Sequence, residues 1–239
     1  MEPTCDLHCT HCLNKLCTHA IPIFSNLGYD DLKKIAGLTV HKDYGKGEII
    51  VEEGGRPDFV AIVSQGSLKA AKYTLDGREQ ILYIFAEGDF FGEQFLLGDR
   101  AAAYSISALE PVKLCLLYRK DFHLLLHDNP EIGVEIISEL GDRLARLESS
   151  VQNMGVRSLE ARISAVLLEF ADRYGTPHAE GTLIFLPLSR EGLASYMGIA
   201  RETVSRKLGL LEEEGIIRSI GNKKILLRQR SVLEERATN

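Results

Sequence analysis

The sequence predicts an α+β chain in three parts: an antiparallel β-roll, a long helix and a winged helix-turn-helix. Three observations carry that prediction. From Glu48 to Tyr118, short β-type runs alternate with glycine turns. From about Pro130 to Arg157, apolar residues recur at near-heptad spacing. From Ser189 onward, two helical patterns flank Gly198 and run into a basic hairpin.

Before the roll, Asn26–Gly37 reads as a short amphipathic helix with Leu27, Leu32 and Ile35 on its apolar side. The expected strands are Glu48–Glu52, Phe59–Val63, Leu68–Leu75, Gln80–Phe85, Tyr104–Leu109 and Val112–Tyr118. Gly54-Gly55, Gly66, Asp76-Gly77 and Gly88-Asp89 separate them, and an Asp-Gly pair is a strong hairpin signal. Short strands at this spacing close into a barrel or a double-sheet roll.

In the long helix, Ile136, Leu140, Leu144, Leu147, Val151 and Met154 step by threes and fours, while the other faces carry charge. So narrow a seam is best buried against its own copy, giving a parallel homodimer through residues 136–154. Packing of the same helix on the roll is the plainer alternative. Ser158 to about Tyr174 is again helical, Gly175–Gly181 reads as a loop, and Thr182–Leu186 as a short strand.

Ser189 is the expected N-cap of a helix running to Tyr196, with Leu193, Ala194 and Met197 as its apolar face. Gly198 makes the turn, and Ile199 falls where two helices pack. The second helix, about Ala200 to Glu213, buries Val204, Leu208 and Leu211, and Gly215 ends it. Its opposite face presents Arg201, Glu202, Ser205 and Arg206. Arg can pair with guanine O6 and N7, Glu can accept from cytosine N4, and Ser is short enough for close approach. Lys207 and Arg190 are expected to serve phosphates. Ile216–Ser219 and Lys224–Leu227 around Gly221-Asn222-Lys223 form a hairpin wing with a basic tip.

Charge distribution agrees. The chain carries a net −6, which by itself argues against a nucleic-acid partner. Residues 1–154 hold 15 Lys/Arg against 23 Asp/Glu, however, whereas 186–230 hold 9 against 5. An acidic body with a basic end is expected when one module faces phosphates. The longest apolar run, Ile81–Ala86, falls far short of the ~20 residues of a membrane span, and the N-terminus lacks the apolar core of a signal peptide. The expectation is a cytoplasmic protein with no membrane partner. No nucleophile–base pair or phosphate loop is present, so an enzyme is not expected; a non-DNA interaction module is the other alternative.

Arg-Glu-Thr-Val-Ser-Arg on the second helix, after a roll and a long helix, resembles the Crp/Fnr superfamily, and most closely its fumarate-nitrate reductase regulator (FNR) type. The likeness covers essentially the whole chain. It implies a cyclic-nucleotide-binding-like jelly roll as sensor, a dimerisation helix and a DNA-binding winged helix-turn-helix. It also implies RNA polymerase as a partner. The Glu202, Ser205, Arg206 pattern implies an inverted repeat with TTGA-like half-sites, about one helical turn apart.

For the sensor the sequence leaves three readings. The cyclic-nucleotide branch of the family pairs a Gly-Glu with a following Arg-Ser/Thr. Gly92-Glu93 is present, but the Arg position falls on or near Ala102, and Arg100 is followed by three alanines. No cyclic nucleotide is therefore expected, and Gly92 is read as a tight turn.

The second reading is a [4Fe–4S] cluster held by Cys9, Cys12, Cys17 and Cys115. An N-terminal trio with one distant cysteine is the layout of the FNR type, and four thiolates suit a cube. The gap between Cys12 and Cys17 is four residues where that type has five, so Cys5 stands as a substitute ligand. The seam contains no acidic residue, so oxygen would act on helix orientation rather than on the monomer–dimer balance.

The third reading is zinc held without Cys115 among residues 5, 8, 9, 11, 12, 17 and 19, or a thiol–disulfide switch in which arm cysteines pair with each other or with Cys115. Cys115 alone could equally be a core cysteine. The expected divisions are 1–25 (arm), 26–127 (roll), 128–157 (dimerisation helix) and 158–239 (DNA-binding domain).

Overall fold

The computed structural model describes residues 29–74, 76–97, 100–134, 137–138, 140–141, 144 and 158–238. Cys5, Cys9, Cys12 and Cys17 lie outside them, as do Ile136, Leu147, Val151 and Met154 of the expected seam. The chain divides into two compact units. One is formed by residues up to Lys72 with Leu82–Leu147, the other by Tyr73–Ile81 with Glu148–Asn239.

The first unit opens with helix α1 (Tyr29–Leu38). Strands β1 (Val40–Tyr44), β2 (Ile49–Val51), β3 (Phe59–Gln65), β4 (Leu68–Tyr73), β5 (Glu79–Phe85) and β6 (Phe90–Phe91) follow. Helix α2 (Glu93–Leu97), β7 (Ser105–Ala108), β8 (Val112–Tyr118) and α3 (Arg119–Asp128) complete it. Two four-stranded sheets form the roll, in the orders β1-β8-β3-β6 and β2-β7-β4-β5, and the registered strand pairs within each are antiparallel.

The pleat sends alternate residues of β3 and β8 to opposite faces. Ala61, Val63, Leu114 and Leu116 point inward, joining Leu68, Phe85, Phe91, Phe95 and Ile106 in the core of the roll. Val60, Ile62, Cys115 and Leu117 point outward, into a second apolar cluster with Ile35, Phe122, Leu125 and Ile132. Both faces of this sheet are thus covered, which explains why β3 and β8 read as continuous apolar runs rather than alternating ones. Each fully buried Leu, Ile or Phe here contributes about 1.5–3 kcal/mol of transfer free energy.

Besides the two-residue β6, three features of the unit were not expected from the sequence. Strand β1 lies at a sheet edge, its Lys42 and Asp43 exposed. Helix α2 is a single turn or so, and α3 begins directly where β8 ends. Beyond it, residues 131–134, 137–138, 140–141 and 144 are helical. Leu140 packs against the outer cluster of the roll, while Val134, Ile137 and Leu144 are 67%, 72% and 57% exposed. The start of the long helix therefore has one side on its own roll and an apolar side facing solvent.

The second unit contains α4 (Leu159–Tyr174), β9 (Gly175–His178), β10 (Gly181–Phe185), α5 (Arg190–Met197) and α6 (Arg201–Glu213). It ends with β11 (Ile217–Ile220), β12 (Lys224–Leu227) and α7 (Arg230–Thr238). Its sheet runs β11-β12-β10-β9, all antiparallel. The expected loop 175–181 is instead largely an edge strand, where Pro177 needs no ladder donor. Helix α7, also unexpected, buries Leu233 and Ala237.

Candidate nucleic-acid interface and sensor cysteine

The helix pair at 189–213 is built from local chemistry. Ser189 Oγ accepts from the Gly192 amide at 3.1 Å, capping α5. Gly198 ends that helix in the left-handed conformation (φ 65°, ψ 35°), its amide donating to Ala194 carbonyl oxygen. A side chain is disfavoured in that backbone, which is why glycine makes the turn. Leu193, Ala194 and Met197 of α5 and Val204, Leu208 and Leu211 of α6 are all buried.

With that face buried, the other is open. Arg201, Glu202, Ser205 and Arg206 are all exposed, along the first two turns of α6. The helix is capped by Ala200, which has no side-chain acceptor, so its first amides keep their donor capacity toward solvent or an anion. The wing is a hairpin in which Ile220 pairs with Lys224 across Gly221-Asn222-Lys223. Lys223 and Lys224 are exposed, and the Lys224 ammonium sits 5.0 Å from the centre of the Phe185 ring.

The two expected phosphate contacts are engaged inside the domain. Arg190 Nη2 donates to Ser219 Oγ at 3.0 Å, tying α5 to the wing. Lys207 Nζ lies 3.6 Å from Glu160 Oε2 with its side chain about a quarter exposed, tying α6 to α4. Arg236 bridges Glu160 and Glu214 at 2.8 and 2.5 Å and closes the same network. Sequence reading also missed Arg162, whose Nη2 donates to the Met197 carbonyl at the end of α5. These contacts join elements distant along the chain, so no local pattern signals them.

Tyr196 donates its hydroxyl to the Glu169 carboxylate, at 3.2 and 3.3 Å to the two oxygens, and stacks at 5.8 Å on Phe170. Burial raises the Glu169 carboxyl above its ordinary range, partly offset by that hydrogen bond and by Arg173. Burial, with the Glu169 charge, holds the Tyr196 phenol protonated. The pair locks α5 onto α4.

In the roll, Gly92 has φ 97°, and a Cβ there would stand 2.6 Å from the Phe59 carbonyl oxygen. Its turn and close approach account for the glycine, as the sequence suggested. Ala102 is 3% exposed, within the inner core, and exchanges backbone hydrogen bonds with Gly54 and Gly55. Arg100 is exposed.

Cys115, 2% exposed, faces outward from the roll. It shares its cluster with Ile35 of α1, the helix that continues directly from the cysteine-rich arm. Opposite it on β1 is His41, in register, with Nδ1 3.4 Å from Sγ. A soft sulfur donor at Cys115 is compatible in chemistry with an iron–sulfur or zinc site; Cys5, Cys9, Cys12 and Cys17 lie outside the described residues. Among the described residues no group of three or more His, Cys, Asp or Glu could hold a metal ion.

Comparison with known proteins places these features. Residues 41–129 match the cyclic nucleotide-binding domain model, and residues 161–236 the Crp-like helix-turn-helix domain model. The nitrogen fixation regulation protein FixK of Azorhizobium caulinodans is 31% identical over 200 residues, covering 83% of this chain and 79% of its own. A CRP-like cAMP-activated global transcriptional regulator of Mycobacterium tuberculosis is 28% identical over 206 residues, covering 85% and 92%. The structure of FixK2 from Bradyrhizobium japonicum superposes with a TM-score of 0.74 at 26% identity, covering 82% of this chain and 96% of that one. No helix among the described residues is long and apolar enough to cross a membrane. With roll, helix pair and wing in this order, and relatives that are transcription regulators rather than enzymes, the chain belongs to the Crp/Fnr family of DNA-binding transcription regulators.

Proposed function

We propose that this regulator is controlled by oxygen through a [4Fe–4S] cluster held by Cys9, Cys12, Cys17 and Cys115, with Cys5 as substitute for Cys17. The observation that carries the reading is the position of Cys115. It sits on the outer face of the roll, in a cluster with Ile35 of α1, the first described element after the cysteine-rich arm in the sequence. A cysteine kept for the core would serve equally well on the inner face, where Leu114 and Leu116 lie.

The cluster, when bound, supplies four thiolate–iron bonds that oxygen can break. The chain's own residues supply the rest. Cys115 would hold the cluster on β8, next to the outer apolar cluster on which Leu140 of the long helix packs. The exposed Val134, Ile137 and Leu144 offer that helix a face for a second copy, in a homodimer extending through residues 136–154. Two copies of α6 then present Arg201, Glu202, Ser205 and Arg206 to the half-sites of a TTGA-like inverted repeat. Loss of the arm tether releases the helix from its DNA-competent orientation, and RNA polymerase is the partner at the promoter.

A cAMP-activated relative raises the alternative of a cyclic-nucleotide effector. The buried Ala102 at the expected arginine position argues against it, since nothing cationic stands there to hold a cyclic phosphate. The test is purification without oxygen, followed by iron, sulfide and zinc analysis. About four iron and four sulfide per chain, lost in air, are the expected result. One zinc without sulfide, or no metal with tight cAMP binding, would replace the reading.

A further inference from the structure

We propose that His41 is the positioning residue of Cys115: its Nδ1–H donates a hydrogen bond to Sγ and sets how readily the ligated thiolate loses its iron. The inference rests on the cluster reading above.

His41 and Cys115 are directly opposed in the β1–β8 ladder, so their side chains leave the sheet on the same face. The Nδ1–Sγ distance of 3.4 Å is a normal one for a hydrogen bond to sulfur. A thiolate ligand has no proton, which fixes the direction of the bond: the imidazole nitrogen donates and the sulfur accepts. The surroundings give that one bond weight. Cys115 is 2% exposed among Ile35, Val60, Ile62, Phe90, Leu117 and Phe122, where water contributes little and each donor weighs on the charge density of the sulfur. Donors to cluster sulfurs tune both potential and stability. His41 is itself half-buried on the edge strand that follows α1, so donor and acceptor are held by backbone rather than by a loop.

The experiment compares the wild-type chain with His41→Leu and His41→Asn. Leucine removes the donor, whereas asparagine places an amide N–H at nearly the position of Nδ1. Each is reconstituted without oxygen using ferrous iron and sulfide. The sulfur-to-iron charge-transfer absorption and the first-order loss of cluster in air-saturated buffer are then measured, with circular dichroism as the check on fold.

His41→Leu should shift the charge-transfer band to lower energy. It should also lose its cluster roughly two- to tenfold faster, the range expected for the net effect of one hydrogen bond. His41→Asn should restore both. A Leu variant that takes up no cluster while Asn does counts the same way. Equal spectra and rates in all three chains overturn the role of His41 and leave the cluster standing. So does an Asn variant as impaired as Leu, which would make His41 a packing residue or a ligand. A wild-type chain that takes up zinc, or no iron and sulfide, overturns the cluster reading and this role with it.

Discussion

Arg206→Ala isolates the reading of DNA from everything else the winged domain does. Arg206 is exposed on α6, while Val204 and Leu208 on the opposite side are 0% and 1% exposed, so truncation leaves the packing of the helix intact. A bidentate arginine–guanine contact is worth about 1–3 kcal/mol of discrimination. A dimer makes the contact twice. If the half-sites act independently the loss is about 2–6 kcal/mol, or roughly 30-fold to more than 10⁴-fold in affinity. Fluorescence anisotropy with a labelled inverted-repeat duplex at fixed salt measures it, run beside a scrambled duplex and a thermal melt. The expected outcome is a large loss on the specific duplex, a small one on the scrambled duplex and an unchanged melt. Affinity within threefold of wild type on the specific duplex would refute the assignment. Equal losses on both duplexes would make Arg206 a phosphate contact instead.

Three further predictions follow from the same domain. Leu208→Ala removes a side chain 1% exposed between α6 and its neighbours; it should cost about 2–5 kcal/mol in urea denaturation and abolish binding to every duplex alike. Glu169→Gln keeps a hydrogen-bond partner for Tyr196 but removes the half-buried charge. Because burial raises the folded-state carboxyl, its stabilising protonated form is present below the ordinary value near 4.5 and is lost as pH rises through the raised value. The Gln variant should therefore gain on wild type from mildly acidic to neutral pH; parallel melting curves across that range would contradict the burial argument. Lys207→Ala breaks the contact with Glu160 and should lower the melting temperature with little change in the salt dependence of DNA binding, whereas Lys223→Ala and Lys224→Ala should reduce the salt slope by about 1 unit per lost phosphate contact.

How much of this was legible in the sequence depended on whether the decisive forces were local. The helix pair was read almost to the residue, because Ser189 caps through its own first turn and Gly198 carries the left-handed bend. The buried residues of α6 recur at threes and fours, so its open face followed by subtraction. Strand β1 was missed since Lys42-Asp43 breaks alternation at an exposed edge, and β9 since Gly175 and Pro177 read as turn residues. Helix α3 was missed because it starts directly at the end of β8, with no glycine or proline between them and no side-chain cap to mark its first turn. Arg190 and Lys207 were read as phosphate contacts on charge alone. Their partners Ser219 and Glu160 are brought near only by the folded domain.

The same distinction bears on the basic end of the chain. Nine Lys/Arg fall within 186–230, but Arg190, Lys207, Arg228 and Arg230 are bound to Ser219, Glu160, Glu180, and Asp172 with Glu234, respectively. Arg201, Arg206, Arg218, Lys223 and Lys224 remain as exposed cations on α6 and the wing. Sequence charge therefore counts two populations together. One joins elements within the winged domain, Lys207 tying α6 to α4 and Arg190 tying α5 to the wing, in contacts that each add little at an exposed surface. The other lies exposed on the face proposed to meet DNA. An effector that changes only how the two winged domains are presented need not alter either set. The sensor, in the proposed reading, lies on the outer face of the roll, where Cys115 and Leu140 share one apolar cluster. A change at the thiolate thus reaches the start of the long helix through direct packing, without passing through the filled interior of the roll.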